Sequence, residues 1–446
     1  MAGVFGGRAA AAALAAALGA GPGLGAPADV DPWWYYSETG IAEVVEAGFD
    51  GRGLTVAVLD GWIDTSAPVF ADADIEVRSF CGYPEGVEGL ESGTSTSGVL
   101  SPGEIPTGEA GAEVLTALEH GTNVTARLVG NGALVGGVKG PVGVAPKAKI
   151  LHYVVAGNVD ADPDVARCAG TGATGPYGED KAVLAAIEAG ADVITSSMGI
   201  SFSSAAEEIQ AGEVIAVRPS GNDMDHYLRG ASPQPGVAKV RGFKADGELP
   251  EWLVFSDPET AVVGPGTQDG AGLVPVAGGG WEAAVVAGNS YVAPVVAGLL
   301  ADLAVKYPEA SKAQLVQSLV RNTWDFDHEP SWDDYWGWGA VDVPRLFAAD
   351  PSQYPDVNPL LGEMGVLTTE PPAPPSPSES ESAPSPSASA SSSPTGGEAA
   401  SDPGSVAWLP FVVVGGGVVA LAAVVVVAVA ARRAQTRKAP PTWTQY

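Results

Sequence analysis

Histidine, cysteine and basic residues are scarce in this chain. Four histidines and two cysteines serve 446 residues, and 22 lysines and arginines stand against 53 aspartates and glutamates, for a formal charge of -31. With so few cations there is no basic patch to neutralise phosphates, which excludes a nucleic-acid partner. The acidity fits a solvated exterior. Scarce histidine narrows metal chemistry in the same way: His152 lies in an apolar run, and His226 and His328 lie in polar stretches, at no spacing that suits zinc. Asp160, Asp162 and Asp164 resemble the start of a calcium loop, but Pro163 interrupts them and the glycine and closing glutamate are missing, so they form an acidic loop. No metal and no cofactor is expected.

The ends of the chain are low in charge or complexity. Arg8, the Ala/Leu-rich stretch Ala9–Ala20 and the Ala26-Pro27-Ala28 end make residues 1–28 a secretory signal, cleaved after Ala28 because a proline following the scissile bond is poorly accepted. A globular domain with an N-terminal extension is expected over 29–350, with Pro32-Trp33-Trp34-Tyr35-Tyr36 packing against its body. Residues 351–405 form a linker whose Pro, Ser, Ala and Glu cannot build a core. Residues 406–431 carry no charge and are long enough to cross a bilayer. Arg432, Arg433, Arg437 and Lys438 follow, which puts the tail 432–446 in the cytoplasm and the domain outside the cell membrane. No LPxTG-like string precedes the span. In an exported domain an even cysteine count favours one bridge, Cys81 to Cys168, with two buried thiols as the alternative.

Within the domain, Leu54–Leu59, 148–156, 191–197 and 213–217 are nearly continuous apolar runs, as in strands buried on both faces of a parallel sheet. Helical patterns fall over 120–130, 179–190 and 290–306, and the alternation predicts an α/β layered fold. The Gly-rich stretches 82–112 and 223–250 are read as loops that shape a binding cleft.

Three strings carry the chemistry: VAVLDGWID with Asp60, EHGTNVTARLVG with His120, and GNSYVAPVVAG with Ser290. Taken singly, each residue also suits a turn or a helix cap. Together they supply a carboxylate, a base and a nucleophile in the order Asp, His, Ser, which differs from the chymotrypsin and α/β-hydrolase orders. GNSYV also lacks the second glycine of a nucleophile elbow.

With these strings, VRPSGN at 217–222, GVAP at 143–146 and WGWGAVDV at 336–343, residues 40–350 resemble the subtilisin-like serine proteases. The resemblance implies a subtilisin-like three-layer fold with a mostly parallel central sheet. It places the acid at Asp60, the base at His120, the nucleophile at Ser290 and an oxyanion donor at Asn222. Ser197, Met198 and Gly199 stand where that family binds an extended substrate. His120 and Ser290 are expected at helix starts, where the Ser290 amide joins Asn222 as a donor. Asp64 is a rival acid, set aside because Asp60 directly ends the apolar strand. The departures are Gly61, Trp62, Asn123, Thr125 and Asn289, none of them a reacting group. The implied partners are a protein or peptide substrate and the membrane. Signal, protease domain, linker and single span together resemble the mycosins, which adds a type VII secretion complex as partner. The alternative is a membrane-tethered scaffold or interaction protein that keeps a weakly active or inactive protease domain.

Overall fold

The computed structural model describes residues 31–81, 98–105, 109–155, 178–222, 234–276, 279–324, 330–363 and 365–370. Its helices are α1 (Trp34–Ser37), α2 (Ile41–Glu46), α3 (Glu109–Val129), α4 (Gly178–Glu188), α5 (Ala206–Gln210), α6 (Val292–Lys306), α7 (Lys312–Arg321) and α8 (Val343–Ala348). Its strands are β1 (Thr55–Asp60), β2 (Asp74–Ser79), β3 (Leu134–Val135), β4 (Val138–Lys139), β5 (Lys149–Val154), β6 (Val193–Ser196), β7 (Ile215–Pro219), β8 (Ala238–Phe243), β9 (Thr260–Pro265), β10 (Gly270–Pro275) and β11 (Trp281–Val286).

Seven strands form one parallel sheet in the order β2-β5-β1-β6-β7-β8-β9. β1 lies inside it, paired with β5 from Thr55↔Lys149 to Asp60↔Val154. Its Val56–Leu59 run is buried because helices cover both faces. On one face α6 packs over β6 to β9, and its residues Val292–Leu303 are all buried. Burial of each Val or Leu there contributes about 1.5–3 kcal/mol before the entropy of ordering is subtracted. On the other face Ala182, Val183 and Ala186 of α4 pack on Ala57, Leu59 and Ile194. Beside the sheet, β10 and β11 form an antiparallel hairpin with Gly270↔Val286 and Pro275↔Trp281 opposed.

Several expectations change. The helix predicted over 120–130 starts at Glu109, so His120 sits mid-helix and its N–H is not one of the free amides of a first turn. The stretch Ala110–Glu119 consists largely of good helix formers and extends the helix backwards. The stretch read as a loop over 223–250 contains β8, whose Val-rich run was masked by its flanking glycines. The packed chain also continues past residue 350, where a linker was expected: Leu360 is buried, and Gln317 Nε2 donates to Val357 O (2.9 Å) and Thr368 O (2.8 Å).

The N-terminal segment does pack on the body, with Trp34 and Tyr35 buried. Tyr35 Oη donates to Val142 O at 2.6 Å, and Ala271 N donates to Pro32 O at 2.7 Å. No helix among the described residues is long and apolar enough to cross a membrane. The signal (1–28), the span (406–431), the tail (432–446), His226, His328, Cys168 and the aspartates at 160, 162 and 164 lie outside the described residues.

Candidate active site

Asp60 ends β1 fully buried. Its Oδ1 accepts a hydrogen bond from Gly61 N (2.7 Å) and from His120 Nδ1 (2.7 Å). The second contact requires α3 to lie against the turn after β1, and two glycines permit it. A Cβ on Gly61 would stand 2.3 Å from Ala117 O, and one on Gly121 2.4 Å from Trp62 O. Gly61, a departure from the usual Thr or Ser, is therefore the residue this approach requires. The His120 side chain is 12% exposed, so its ring reaches solvent while Asp60 does not.

Ser290 lies in a single turn of 3-10 helix, Asn289–Tyr291, which leads into α6 as expected. Gly288 precedes it at φ +148, a conformation that favours glycine. Asn289, another departure, is fully buried and joins three segments. Its N–H donates to Asn222 Oδ1 (2.9 Å), its Nδ2 to Ser220 O (3.3 Å) and Gly221 O (3.1 Å), and its Oδ1 accepts from Thr267 Oγ1 (3.3 Å). Because the Asn222 carbonyl is occupied by an N–H, its amide nitrogen is left as the exposed donor. Ser197 Oγ donates to Ser290 O at 2.7 Å.

The neighbouring segment is shaped differently from expectation. β6 stops at Ser196, Met198 N donates back to Ser196 Oγ (3.2 Å), and Gly199 turns at φ +62. Ser197–Gly199 is thus a bend, so the edge it offers an extended chain is short.

Two further departures, Asn123 and Thr125, brace α3. Asn123 pairs with Leu273 of β10, donating through Nδ2 (2.7 Å) and accepting through Oδ1 (2.7 Å). Thr125 Oγ1 lies 3.0 Å from His152 Nδ1, while His152 Nε2 lies 2.8 Å from Gly61 O. Burial holds the His152 pKa below its usual range, so the neutral ring donates from Nε2 to Gly61 O and accepts at Nδ1. His152 thereby supports the turn that follows Asp60. Asp64, the rival acid, is committed elsewhere: its Oδ1 accepts from Ser66 Oγ (2.6 Å) and its Oδ2 from Trp281 Nε1 (2.7 Å).

Two features escape sequence reasoning. The Arg127 guanidinium stacks 4.0 Å from the Tyr35 ring centroid and 5.6 Å from that of Tyr291, linking the N-terminal segment to the residue after Ser290. Glu119, next to His120, has its carboxyl pushed up to about 7 by burial, with the His120 charge acting the other way. The Arg127 partners lie far away in the sequence, and the burial of Glu119 arises only on packing, so no local pattern reveals either.

The arrangement brings an imidazole against a buried carboxylate, and the Tyr291 ring centroid lies 6.1 Å from that of His120. The Tyr291 ring, one residue after Ser290, is therefore beside the imidazole. Among the described residues no cluster of His, Cys, Asp and Glu could hold a metal ion.

Residues 51–256 match the model of the subtilase family (Peptidase_S8). Fervidolysin from Fervidobacterium pennivorans is 28% identical over 331 residues, 69% of this chain and 42% of that protein, so this chain spans less than half of its relative's length. The crystal structure of fervidolysin, a keratinolytic enzyme related to subtilisin, superposes with a TM-score of 0.53 at 20% identity, covering 72% of this chain and 46% of that one. The MycP3 protease from the type VII (ESX-3) secretion system gives 0.50 at 17% identity, over 72% of this chain and 90% of its own. MycP1 from the ESX-1 type VII system gives 0.50 at 18%, over 75% and 90%. These likenesses establish a subtilisin-like α/β fold with a mostly parallel central sheet.

Proposed function

We propose that this chain, which carries a subtilase-family domain, is a serine endopeptidase that hydrolyses peptide bonds through Asp60, His120 and Ser290. The observation that carries the reading is the 2.7 Å contact between His120 Nδ1 and the buried Asp60 carboxylate. That contact keeps the ring proton on Nδ1, which makes Nε2 the nitrogen that takes a proton, and Asp60 stabilises the imidazolium that results. Ser290 attacks the scissile carbonyl as His120 takes its proton, and His120 then protonates the leaving amine. The negative oxygen is held by Asn222 Nδ2 and the Ser290 amide; losing one such donor lowers turnover by roughly 10²–10³. Water releases the acyl group by the reverse path. In labelling with a fluorophosphonate probe, Ser290→Ala is expected to abolish the adduct, and an adduct on another serine overturns the assignment.

The domain is exported by residues 1–28 and held outside the cell membrane by the span 406–431, with the 432–446 tail inside. This supports a mycosin role in a type VII secretion complex, together with the fold shared with MycP1 and MycP3. Alkaline extraction of membranes tests the anchor: full-length protein stays in the pellet and a chain truncated before residue 406 is released. Full-length protein in the soluble fraction overturns it. Full rescue of a deletion by Ser290→Ala overturns a catalytic role in that complex.

A further inference from the structure

A second buried carboxylate lies under the donor side of the site. Ser220 is buried directly before Gly221 and Asn222, at the carboxyl end of β7. Its N–H donates to Val240 O of β8 (2.7 Å), and its carbonyl accepts from Asn289 Nδ2 (3.3 Å). Its hydroxyl donates to Asp257 Oδ2 at 2.6 Å. Asp257 is fully buried, and its Oδ1 accepts from Lys239 Nζ (3.0 Å) and from Glu259 N (3.1 Å). Lys239 Nζ also reaches Glu259 Oε2 (3.2 Å), which in turn accepts from Arg218 Nη2 (2.9 Å).

A carboxylate is tolerated there because a lysine and two further donors compensate its desolvation. An O–H to carboxylate bond of this length is charge-assisted and stiffer than a neutral one. Through it, the turn 220–222 is tied to the segment before β9, which belongs to neither the triad nor the oxyanion turn. The other end of the same turn is tied to the nucleophile's turn by Asn289 N and Asn222 Oδ1 at 2.9 Å. The height of Asn222 above the sheet is therefore set from two sides.

We propose that Ser220 and Asp257, with Lys239 as the counter-charge, are positioning residues that hold the Asn222 amide at the height where it meets a developing oxyanion. This rests on the peptidase reading above. The paired carboxylate and hydroxyl transfer no proton; they act through the backbone of the turn. Without the Ser220 hydroxyl, Val240 and Asn289 are the partners left to the turn among the described residues, and the donor becomes loose by a fraction of an ångström.

The test is a double-mutant cycle on the full chain with a peptide substrate, using Ser220→Ala, Asn222→Ala and the pair. Ser220→Ala should lower kcat about tenfold, a fraction of the loss on removing an oxyanion donor outright, and leave KM within about twofold. In the Asn222→Ala background the same substitution should have no further effect on kcat. Ser220→Thr, which keeps a hydroxyl, should restore most of the rate and remains informative if the alanine variant does not fold. Wild-type kcat in Ser220→Ala, a loss that multiplies fully with that of Asn222→Ala, or a Ser220→Thr no better than alanine overturns the proposal. Asn222→Ala and the wild-type chain together distinguish its failure from that of the peptidase reading. If Asn222→Ala lowers kcat as expected and Ser220→Ala does not, only the positioning role falls. If Asn222→Ala leaves a measurable kcat unchanged, the oxyanion role of Asn222 and the positioning role fall together, and if the wild-type chain hydrolyses no peptide, the peptidase reading itself falls.

Discussion

Gly61→Ala perturbs the candidate site without altering Asp60, His120 or Ser290. The added Cβ would lie 2.3 Å from Ala117 O and 2.9 Å from Ala117 C, both backbone atoms of α3. Ordinary carbon–oxygen contact begins near ~3.3 Å, so relief needs roughly 1 Å of separation between the turn and the helix. His120 stands on the same helix one turn beyond Ala117, and its 2.7 Å contact with Asp60 takes up that movement. The contact then opens beyond hydrogen-bonding range. A 1 Å misplacement lowers kcat/KM by about 10²-fold, equivalent to roughly 2.7 kcal/mol of transition-state stabilisation. Overpacking costs about 1–3 kcal/mol of stability in addition. Steady-state hydrolysis of a chromogenic peptide and the rate of fluorophosphonate labelling read the first effect, and equilibrium unfolding reads the second. A folded Gly61→Ala variant with wild-type kcat/KM would refute the reasoning, because it would show that α3 yields without disturbing the pair.

Four other perturbations have expected outcomes. Asp302, in α6, is fully buried and neither of its oxygens has a hydrogen-bond partner among the described residues. Burial first, and the charge of Asp50 second, raise its pKa well above the carboxylate range, so the folded state binds the proton more tightly than the unfolded chain. Its contribution is complete below the unfolded value near ~4 and is lost as pH rises toward the folded value; Asp302→Asn should raise the Tm at neutral pH and flatten its pH dependence, and an unchanged slope contradicts this. Glu119 titrates at about 7 beside His120, so Glu119→Gln should move the acid limb of the kcat/KM profile to lower pH by a few tenths of a unit, and a superimposable profile speaks against it. Asn123→Ala removes both bonds to Leu273 and should cost about 1–3 kcal/mol in a denaturant titration, with a shift in the midpoint and not in m. Intact mass before and after reduction addresses Cys81 and Cys168: a gain of two hydrogens is expected, and no gain excludes the bridge.

Much of the candidate site was legible from local pattern. Asp60 ends a strand because Thr55–Leu59 is rich in β-branched and apolar residues, and Ser290 opens a helix because Val292–Ala301 after it is apolar throughout. The start of α3 was not legible, because Gly111 and Thr116 interrupt the helix formers before His120. β8 was lost among glycines, and the extent of the domain beyond residue 350 depends on Gln317, whose contacts with Val357 and Thr368 leave no local trace.

The sequence alone determined the candidate acid, base and nucleophile, their order along the chain, and the strand and helix that carry Asp60 and Ser290, since these depend on residue type and short-range periodicity. The tertiary structure decided what the unusual neighbours do. Gly61 and Gly121 let a helix approach a turn, Asn123 and Asn289 tie segments together, and His152 with Thr125 braces the turn after Asp60. Those roles are set by contacts between residues remote in the chain, through close approach and hydrogen-bond pairing that exist only once the sheet and its helices have packed.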